Sequence, residues 1–365
     1  MNLKHSFDFN FFVFFLLVIL VGFMIAKPCK VHEYYKYVDW KTIFTLSSLL
    51  LITTAIKESH YFDELGRRIL NRFSSERSLA TFLILFSAGL STFLTNDITL
   101  FIVVPLTLSI QNLVKNDLKK LIILEAFAVN IGSSLTPIGN PQNLFLWYQW
   151  KIPFFHFVYK LLPLVTFLLL SLLFLNYLVF SNKKLEFLEK SSTKILYDKK
   201  LLSFSLLLLL MCVIFLELHL ELYFFPVVFI FYLFFYRKAY LKADWLLIFM
   251  FILIFIDFHL ISALPPIIHL VHKLSLNTSK KVYLLSFISS QIISNVPASV
   301  FVSKFSHDWF AITYGVNVAG NGIIISSLAN LIAIRLADSK VTITEFHKFA
   351  VPFCFVTFLI VYLFI

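Results

Sequence analysis

Charged residues, glycine and proline are all scarce in this chain of 365 residues. Asp, Glu, Lys and Arg together make up 14% of it, against about 25% in an ordinary soluble domain. So little charge excludes intrinsic disorder and a soluble nucleic-acid-binding domain, both of which need a polar or basic surface. Eight Gly and 11 Pro exclude a collagen-like chain. The three Cys show no paired spacing, so the sequence predicts neither a disulfide framework nor a zinc site.

Apolar residues are correspondingly abundant. They account for 59% of the chain, which includes 45 Phe, and the mean hydropathy is +0.87. A soluble globule of this size cannot bury that much apolar surface, so the composition predicts an all-α polytopic membrane protein. We therefore attribute the net charge of +11 to Lys and Arg on cytoplasmic loops rather than to nucleic-acid binding.

Nine apolar stretches have roughly the length of a transmembrane helix, about 17–25 residues. They are 9–26, 42–57, 121–150, 152–180, 201–220, 222–236, 245–260, 311–337 and 347–365. The first has few charges before it and no small-residue cleavage pattern, so we interpret it as a retained span rather than a cleaved signal.

Two further apolar stretches, 79–114 and 281–304, are each interrupted by a polar tip. The tips are Thr95-Asn96-Asp97 in the first stretch and Ser294-Asn295 in the second. The segments that precede the tips are short for crossing a bilayer. Each stretch is therefore predicted to be a re-entrant hairpin, which enters and leaves the membrane by the same face; the alternative is two ordinary spans joined by a turn.

Lys and Arg are unevenly distributed between the loops. With the N-terminus in the cytoplasm, the cytoplasmic segments hold 21 of these residues and the opposite loops hold nine, which predicts that the C-terminus lies outside. Segments 58–78 and 261–280, which precede the hairpins, are predicted to lie along the membrane surface. The Lys-rich segment 181–200 is predicted to be a cytoplasmic linker between a first half, 1–180, and a second half, 201–365.

A sequence pattern occurs once in each half. NIGSSLTPIGNPQN runs from Asn130 to Asn143 and NVAGNGIIISSLAN from Asn317 to Asn330, so both motifs separate their end asparagines by 13 residues. Pro and Gly do not continue a regular helix well, so 121–150 and 311–337 are predicted to be broken helices.

Broken helices in corresponding places of two halves are typical of the binding site of a secondary transporter, because half-helix ends attract ions. Under the predicted topology the two hairpins enter from opposite faces, so the halves form an inverted repeat. The alternative is that the small residues only allow close helix packing. The residues predicted to bind substrate or ion are Thr95, Asn96, Asp97, Asn130, Ser133, Ser134, Thr136, Asn140, Asn143, Ser294, Asn295, Asn317, Asn321, Ser326 and Asn330.

The hairpin LSTFLTNDITLFIVVPLTL and the following NIGSSLTPIGNPQNLFLW resemble the ion-transporter superfamily. The likeness is to its branch of arsenite permeases, sodium/proton antiporters and citrate-transporter-like anion permeases, and it covers about 79–150 and 281–334. It implies two hairpins, two broken helices and an elevator-like domain that moves against a scaffold. The implied site residues are Asn96 and Asn295 at the tips, and Asn130, Thr136, Asn317 and Ser326 in the broken helices. The tips depart from the Ser-Asn-Thr of the anion symporters, so their dicarboxylate specificity is not implied. In a separate departure, the first half has one span fewer than the second.

Acidic residues at membrane depth are costly and are usually retained for function or paired. Asp97 and Glu125 are the candidate coupling residues, which would exchange a proton or sodium. For Asp97 the alternative is that it caps the returning half-helix. Asp257 is expected to pair with His259 near a membrane face.

Our leading hypothesis is a secondary active transporter of the bacterial inner membrane that moves a small inorganic or organic anion by alternating access. A sodium/proton antiporter is a second interpretation, and a polytopic membrane enzyme or a non-transporting scaffold is an alternative of another class. The sequence contains no CxxC, HExxH or P-loop motif, so neither an enzyme nor a cofactor or metal is expected, apart from sodium or a proton as coupling ion. The expected partners are the anion and membrane lipid, not nucleic acid, and a homodimer is left open.

Overall fold

The computed structural model describes residues 3–26, 28–188, 196–217, 220–266, 269, 276–337 and 340–365. These residues form helices and isolated bridges but no β-strand, which confirms the all-α class. The α-helices are α1 (Leu3–Ala26), α2 (Trp40–Glu58), α3 (Tyr61–Leu70), α4 (Glu76–Phe93), α5 (Asn96–Gln111), α6 (Lys119–Ser133), α7 (Pro141–Trp150), α8 (Phe154–Val179), α9 (Lys199–Glu217), α10 (Glu221–Phe235), α11 (Arg237–Lys242), α12 (Trp245–Ser262), α13 (Ser279–Ile293), α14 (Asn295–Val302), α15 (Trp309–Ala319), α16 (Leu328–Leu336) and α17 (Ile343–Phe364). Short 3-10 segments cover Pro28–Tyr37 and Ile324–Ser326.

Helices α8 and α17 are each long and apolar enough to cross a membrane. Shorter apolar helices cover Val13–Ala26, Asn96–Gln111, Leu222–Phe235 and Trp245–Ile261. Large apolar side chains stand exposed on α8, for example Phe155 at 84% and Phe174 at 63%. An outward apolar surface of this kind is what a lipid-facing helix presents, because the bilayer interior replaces water there.

Both predicted interruptions are present. In the first motif α6 ends at Ser133 and α7 begins at Pro141; in the second, α15 ends at Ala319 and α16 begins at Leu328. A Cβ added at Gly139 would overlap the carbonyl oxygen of Ser133, so the first break needs glycine for close backbone approach.

The predicted surface segment 58–78 is not one element. Glu58 still belongs to α2, α3 covers only Tyr61–Leu70, and α4 begins at Glu76. The boundary is set by Ser75, whose hydroxyl accepts a hydrogen bond from the Ser78 backbone and so starts a new helix. Part of segment 261–280 (267–268 and 270–275) and part of the linker (189–195) lie outside the described residues.

The chain divides into two compact units. Unit 1 comprises Met1–Ser74, Pro105–Asp117 and Leu185–Asp257. Within it α2 packs against α3, α9, α10 and α11. Lys238 and Lys242 of α11 form ion pairs with Glu58 at the end of α2, at 3.3 and 2.7 Å. Burial raises the pKa of Glu58, but these two lysines outweigh it, so its pKa lies below the ordinary value.

Unit 2 comprises Ser75–Val104, Leu118–Lys184 and Phe258–Ile365, and its helix contacts occur in two matching sets. In one set α4, α6 and α8 contact one another, and in the other α13, α15 and α17 do the same. Gly132 lets α6 approach the backbone of α4, and Gly315 lets α15 approach α13, where an added Cβ would lie 2.7 Å from the Tyr283 carbonyl oxygen. The two sets contact each other through α6 with α15 and through α8 with α15 and α17. In addition, α6 packs against α16 and α7 packs against α15.

Candidate functional site

The end asparagines of the two motifs bond across the motifs, within unit 2. The Asn130 side-chain amide donates to Asn330 Oδ1 at 2.9 Å. In the reciprocal position, the Asn317 amide donates to Asn143 Oδ1 at 2.8 Å. The first asparagine of each motif is therefore joined to the last asparagine of the other motif, and this pairing follows the contacts of α6 with α16 and of α15 with α7.

Hydroxyls and backbone carbonyls extend both pairs. Ser327 donates to Asn130 Oδ1 at 3.0 Å, and the Gly320 carbonyl accepts from Asn130 and Asn330 at 3.0 and 2.8 Å. Ser326, which the sequence predicted here, lies 3.5 Å from the same carbonyl.

Around the other pair, Asn317 Oδ1 accepts from Ser134 at 2.9 Å, from Asn140 at 3.2 Å and from Gln142 at 3.3 Å. The Asn143 amide donates to the carbonyls of Ser134 and Thr136. Ser133 accepts from Asn140 at 3.3 Å.

This amide network is buried and neutral. Asn130, Asn143, Asn317 and Asn330 are each at most 4% exposed. Within the described residues no carboxylate, lysine or arginine bonds to the network. Buried polar groups are stable only when they are hydrogen-bonded, so the mutual bonds fix the geometry of both breaks.

The first hairpin tip is fastened to the first break. Asn96 begins α5, and its backbone N–H donates to the Gly139 carbonyl at 3.0 Å. One turn earlier, the Thr92 hydroxyl donates to the Gly132 carbonyl at 3.2 Å, and Thr136 donates back to the Thr92 carbonyl at 2.9 Å. The tip therefore lies against the segment that separates α6 from α7.

The second hairpin tip is fastened to the second break in a corresponding way. Gln291, four residues before Asn295 as Thr92 is before Asn96, donates to the Ala319 carbonyl and accepts from the Ile323 N–H, both at 3.0 Å. The amide nitrogen of Asn295 lies 3.6 Å from the position that a Cβ on Gly320 would occupy. Each hairpin thus contacts the broken helix of its own half.

The second tip also carries backbone strain. Ser294 has φ 69° and ψ 157°, a region that is accessible essentially only to glycine. Ser294 is fully buried, and its hydroxyl lies 3.4 Å from Asn295 Oδ1. Strained, non-helical backbone that persists at a buried position is characteristic of ligand-binding segments.

Some buried polar atoms next to the network have no hydrogen-bond partner in the part of the chain that the structure describes. They are Asp97 Oδ1, Gln142 Oε1 and both side-chain polar atoms of Asn321. Asp97 lies in the first turn of α5, and Asn321 in the turn after α15. Because an unsatisfied buried polar group is costly, these atoms are candidates for ligand contacts.

The other predicted residues are more peripheral. Thr95 is half-buried and its carbonyl accepts from Thr99, while Glu125 is fully buried in α6 just over one turn before Asn130. Among the described residues no group of three or more His, Cys, Asp or Glu could hold a metal ion.

The sequence prediction missed four participants: Thr92, Gln142, Gln291 and Ser327. Gln142 and Ser327 lie inside the two motifs, so their position was a usable signal. Thr92 and Gln291 lie one turn before the hairpin tips, and only their equal spacing of four residues marks them.

Comparison with known proteins adds to this geometry. The sequence model of the citrate transporter family matches residues 10–308. The chain is 38% identical over 341 residues to inner membrane protein YbiR of Escherichia coli strain K12, covering 93% of this chain and 91% of that protein. It is 36% identical over 344 residues to an uncharacterised transporter of Methanocaldococcus jannaschii, covering 91% of each chain. A silicon efflux transporter of Oryza sativa subsp. japonica is 30% identical over 129 residues, which is 35% of this chain and 27% of that protein.

Proposed function

Because the chain belongs to the citrate transporter family, and is thereby a membrane transporter, we propose that it is a secondary active transporter that moves a small anion by alternating access. The observation that carries this proposal is the pair of reciprocal amide bonds between two broken helices. Such bonds hold two helix breaks side by side, which is where secondary transporters place their substrate and coupling ion.

The chemistry at the breaks suits an anion. Half-helices α7 and α16 both begin at the amide network, and helix N-termini attract negative charge. The buried amide nitrogen of Asn321, which has no partner among the described residues, is a further donor. Silicon efflux and citrate transport in the names of relatives fit small oxygen-rich solutes, and we propose that class here.

The first hairpin tip suits a coupling cation. Asp97 Oδ1, at the tip, is a buried acceptor oxygen that has no partner in the described part of the chain, and Gln142 Oε1, at the start of α7, is another. The Asp97 side chain accepts no backbone hydrogen bond among the described residues, so the geometry gives the helix-capping alternative no support. The same carboxylate favours a sodium/proton antiporter as the second candidate function.

The proposed arrangement of the chain in the membrane is based on the lengths of its helices. Helix α14 has eight residues and is about 12 Å long, which is far short of a bilayer core of about 30 Å. A re-entrant second hairpin and the inverted repeat fit this length. We propose a multi-pass inner-membrane protein with a cytoplasmic N-terminus. Impermeant thiol labelling of a cysteine at Thr278 should occur only from outside the cell, and labelling only from the cytoplasm would overturn the orientation.

Uptake into proteoliposomes tests the function. The purified protein is given radiolabelled citrate, malate, sulfate or phosphate under an imposed sodium or proton gradient. We expect gradient-driven accumulation of at least one anion. Dissipation of a proton gradient by sodium alone, with no anion uptake, would instead establish the antiporter.

Two variants locate the site. Asn317→Ala should abolish uptake because it removes the central acceptor and donor of the network. Asn176→Ala is the matched control, since Asn176 is another buried amide of unit 2, bonded to Thr81 outside the network. Equal loss of uptake in both variants would mean that folding, not the site, had been tested.

Asp97→Asn tests the coupling. The amide keeps the shape of the carboxyl group but cannot release a proton or balance a cation, so accumulation should fail while downhill exchange of the anion continues. Accumulation equal to that of the parent protein, across external pH and sodium concentration, would remove Asp97 from the mechanism.

A further inference from the structure

A histidine side chain holds the second helix break, and the proposed function does not use it. His347 lies in the second turn of α17, and its ring is partly exposed. Its Nε2 atom lies 3.1 Å from the backbone nitrogen of Ile324, the first residue of the 3-10 segment Ile324–Ser326. Its Nδ1 atom lies 2.8 Å from the carbonyl oxygen of Ile343, one turn earlier in the same helix. The ring therefore connects α17 to the segment that separates α15 from α16.

These two partners fix the protonation state that the ring needs. A carbonyl oxygen only accepts hydrogen bonds and a backbone N–H only donates them. The ring hydrogen must therefore be on Nδ1, where it is donated to Ile343, and Nε2 must keep the lone pair that accepts from Ile324. This is the neutral imidazole, because a protonated histidine carries a hydrogen on both nitrogens and has no acceptor left.

The neighbouring N–H of the same break is held by a side chain that does not titrate. Gln291 Oε1 accepts from the Ile323 N–H at 3.0 Å, and the Gln291 amide donates to the Ala319 carbonyl at 3.0 Å. Two consecutive N–H groups of the break are therefore bonded to side chains of two different helices, α13 and α17. Of these two side chains only His347 can change its charge between about pH 5 and 8.

Other charged and titratable groups lie on the elements packed around α17, and none of them forms an ion pair or a hydrogen bond with the His347 ring within the described residues. Tyr283 of α13 lies toward the far end of α17, where it donates to the Phe358 carbonyl. Tyr314 of α15 faces α8, where it donates to the Lys160 carbonyl. Others are Glu125 of α6, Tyr177 of α8, Arg335 of α16, and Lys340, Glu345 and Lys348 at the start of α17. The two hydrogen bonds of the ring therefore decide what its protonation does.

We propose that His347 is a positioning residue of the second helix break and makes the substrate site sensitive to pH. One proton from the solvent forms an N–H bond at Nε2, the ring gains one positive charge, and the Ile324 N–H loses its acceptor. The segment between α15 and α16 is then released from α17, and return of the proton to the solvent restores the bond. The inference rests on the proposed function only in taking the second break as part of the substrate site.

Hydrogen–deuterium exchange of residues 320–327 in the purified full-length protein tests the proposal without a transport substrate. The parent protein and His347→Gln are compared with each other at about pH 5.5 and again at about pH 8, so the intrinsic pH dependence of exchange cancels. Glutamine offers an oxygen acceptor that does not titrate, and it should hold Ile324 at both pH values. We expect equal exchange at the higher pH and exchange about fivefold faster in the parent at the lower pH, the factor that corresponds to one lost hydrogen bond. Equal exchange in both proteins at both pH values would overturn the proposal.

Two control variants separate the hydrogen bond from other effects of pH. His347→Leu removes the acceptor without a charge, so residues 320–327 should exchange about fivefold faster than in His347→Gln at both pH values. Exchange in His347→Leu equal to that in His347→Gln would show that the ring does not hold the break. His156→Gln changes another histidine of unit 2, whose ring lies against Trp309, and it should keep the acid-dependent exchange of the parent. Loss of that dependence in His156→Gln would assign the switch to His156 and overturn the proposal.

The exchange measurement and the uptake measurement fail independently. If the protein takes up none of the tested anions but residues 320–327 respond to pH as expected, the proposed function is wrong and the positioning by His347 stands. If an anion is taken up and the exchange of residues 320–327 does not depend on His347, the inference about His347 is wrong and the proposed function stands.

Discussion

The reciprocal asparagine pairs make a quantitative prediction about coupling. Asn130, Asn143, Asn317 and Asn330 are replaced by Ala singly and in pairs. The cross-motif pairs Asn130–Asn330 and Asn317–Asn143 are hydrogen-bonded at 2.9 and 2.8 Å, whereas no bond joins the two end asparagines of one motif. We therefore expect the cross-motif double variants to be non-additive in stability and the same-motif double variants to be nearly additive.

The magnitude follows from hydrogen bonding in membrane proteins. Interhelical hydrogen bonds measured by double-mutant cycles average about 0.6 kcal/mol and reach about 1.7 kcal/mol. Each cross-motif pair should therefore show a coupling energy of about 0.6–1.7 kcal/mol. Same-motif pairs share no direct bond and should stay below about 0.5 kcal/mol.

Reversible unfolding in mixed detergent–lipid micelles, followed by the loss of helical circular dichroism, measures these energies. The two same-motif double variants are the matched control. Taken together they remove the same four side chains as the two cross-motif double variants, but each of them removes two asparagines that are not bonded to each other. Coupling in the same-motif pairs as large as in the cross-motif pairs would refute the reciprocal pairing. Cross-motif coupling indistinguishable from zero would refute it as well.

Three further predictions concern packing, electrostatics and strain, and unfolding measurements on four variants test them. Gly132→Ala should lower the free energy of unfolding by about 1–3 kcal/mol, because its Cβ would overlap the backbone of α4. In the control variant Gly89→Ala the added Cβ has nothing within 4 Å, so the free energy of unfolding should rise by about 0.5–1 kcal/mol. Equal effects of the two substitutions would contradict the close approach of α6 to α4. Hydrogen bonds from Arg67 and Arg68, together with the charges of these two residues, lower the pKa of Glu64 to about 2. The ionised Glu64 therefore stabilises the folded protein above a pH of about 4.5, and this stabilisation is lost as the pH falls toward 2. Glu64→Gln should therefore flatten the fall in melting temperature at acidic pH and lower the free energy of unfolding at pH 7 by about 1–2 kcal/mol. The loss is limited to this size because Arg67 and Arg68 both reach solvent, which weakens the ion pairs. An unchanged fall in melting temperature at acidic pH would rule this out. Ser294→Gly should stabilise the protein by about 1 kcal/mol through relief of its left-handed backbone, and a destabilised variant would show that the hydroxyl outweighs the strain.

The elements that the sequence predicted correctly depend on local chemistry. Apolar runs, together with the Pro and Gly of the two motifs, predicted broken helices over 121–150 and 311–337. The structure has both breaks, between Ser133 and Pro141 and between Ala319 and Leu328. The hydropathy and the length of an apolar segment are properties of about 20 neighbouring residues, so helices and their breaks can be predicted without knowledge of the fold. The re-entrant hairpins, the inverted orientation and the role of the site residues stay predictions.

Two sequence predictions failed, one because of helix geometry and burial and the other because of a helix cap. Asp257 and His259 are close in sequence, but helix geometry turns them to different sides of α12, and burial separates them further. The surface segment 58–78 divides at Ser75, where a helix cap overrides an otherwise continuous amphipathic pattern.

The sequence by itself determined that this protein lies in a membrane, that two of its helices are broken, and that asparagines stand at the ends of both motifs. Only the tertiary structure decided which asparagine meets which, because the bonded partners are 200 and 174 residues apart and no local pattern encodes that contact. Packing of α6 on α16 and of α7 on α15 brings the amides together, and their burial makes each bond necessary, since an amide without a partner in that interior would be unsatisfied.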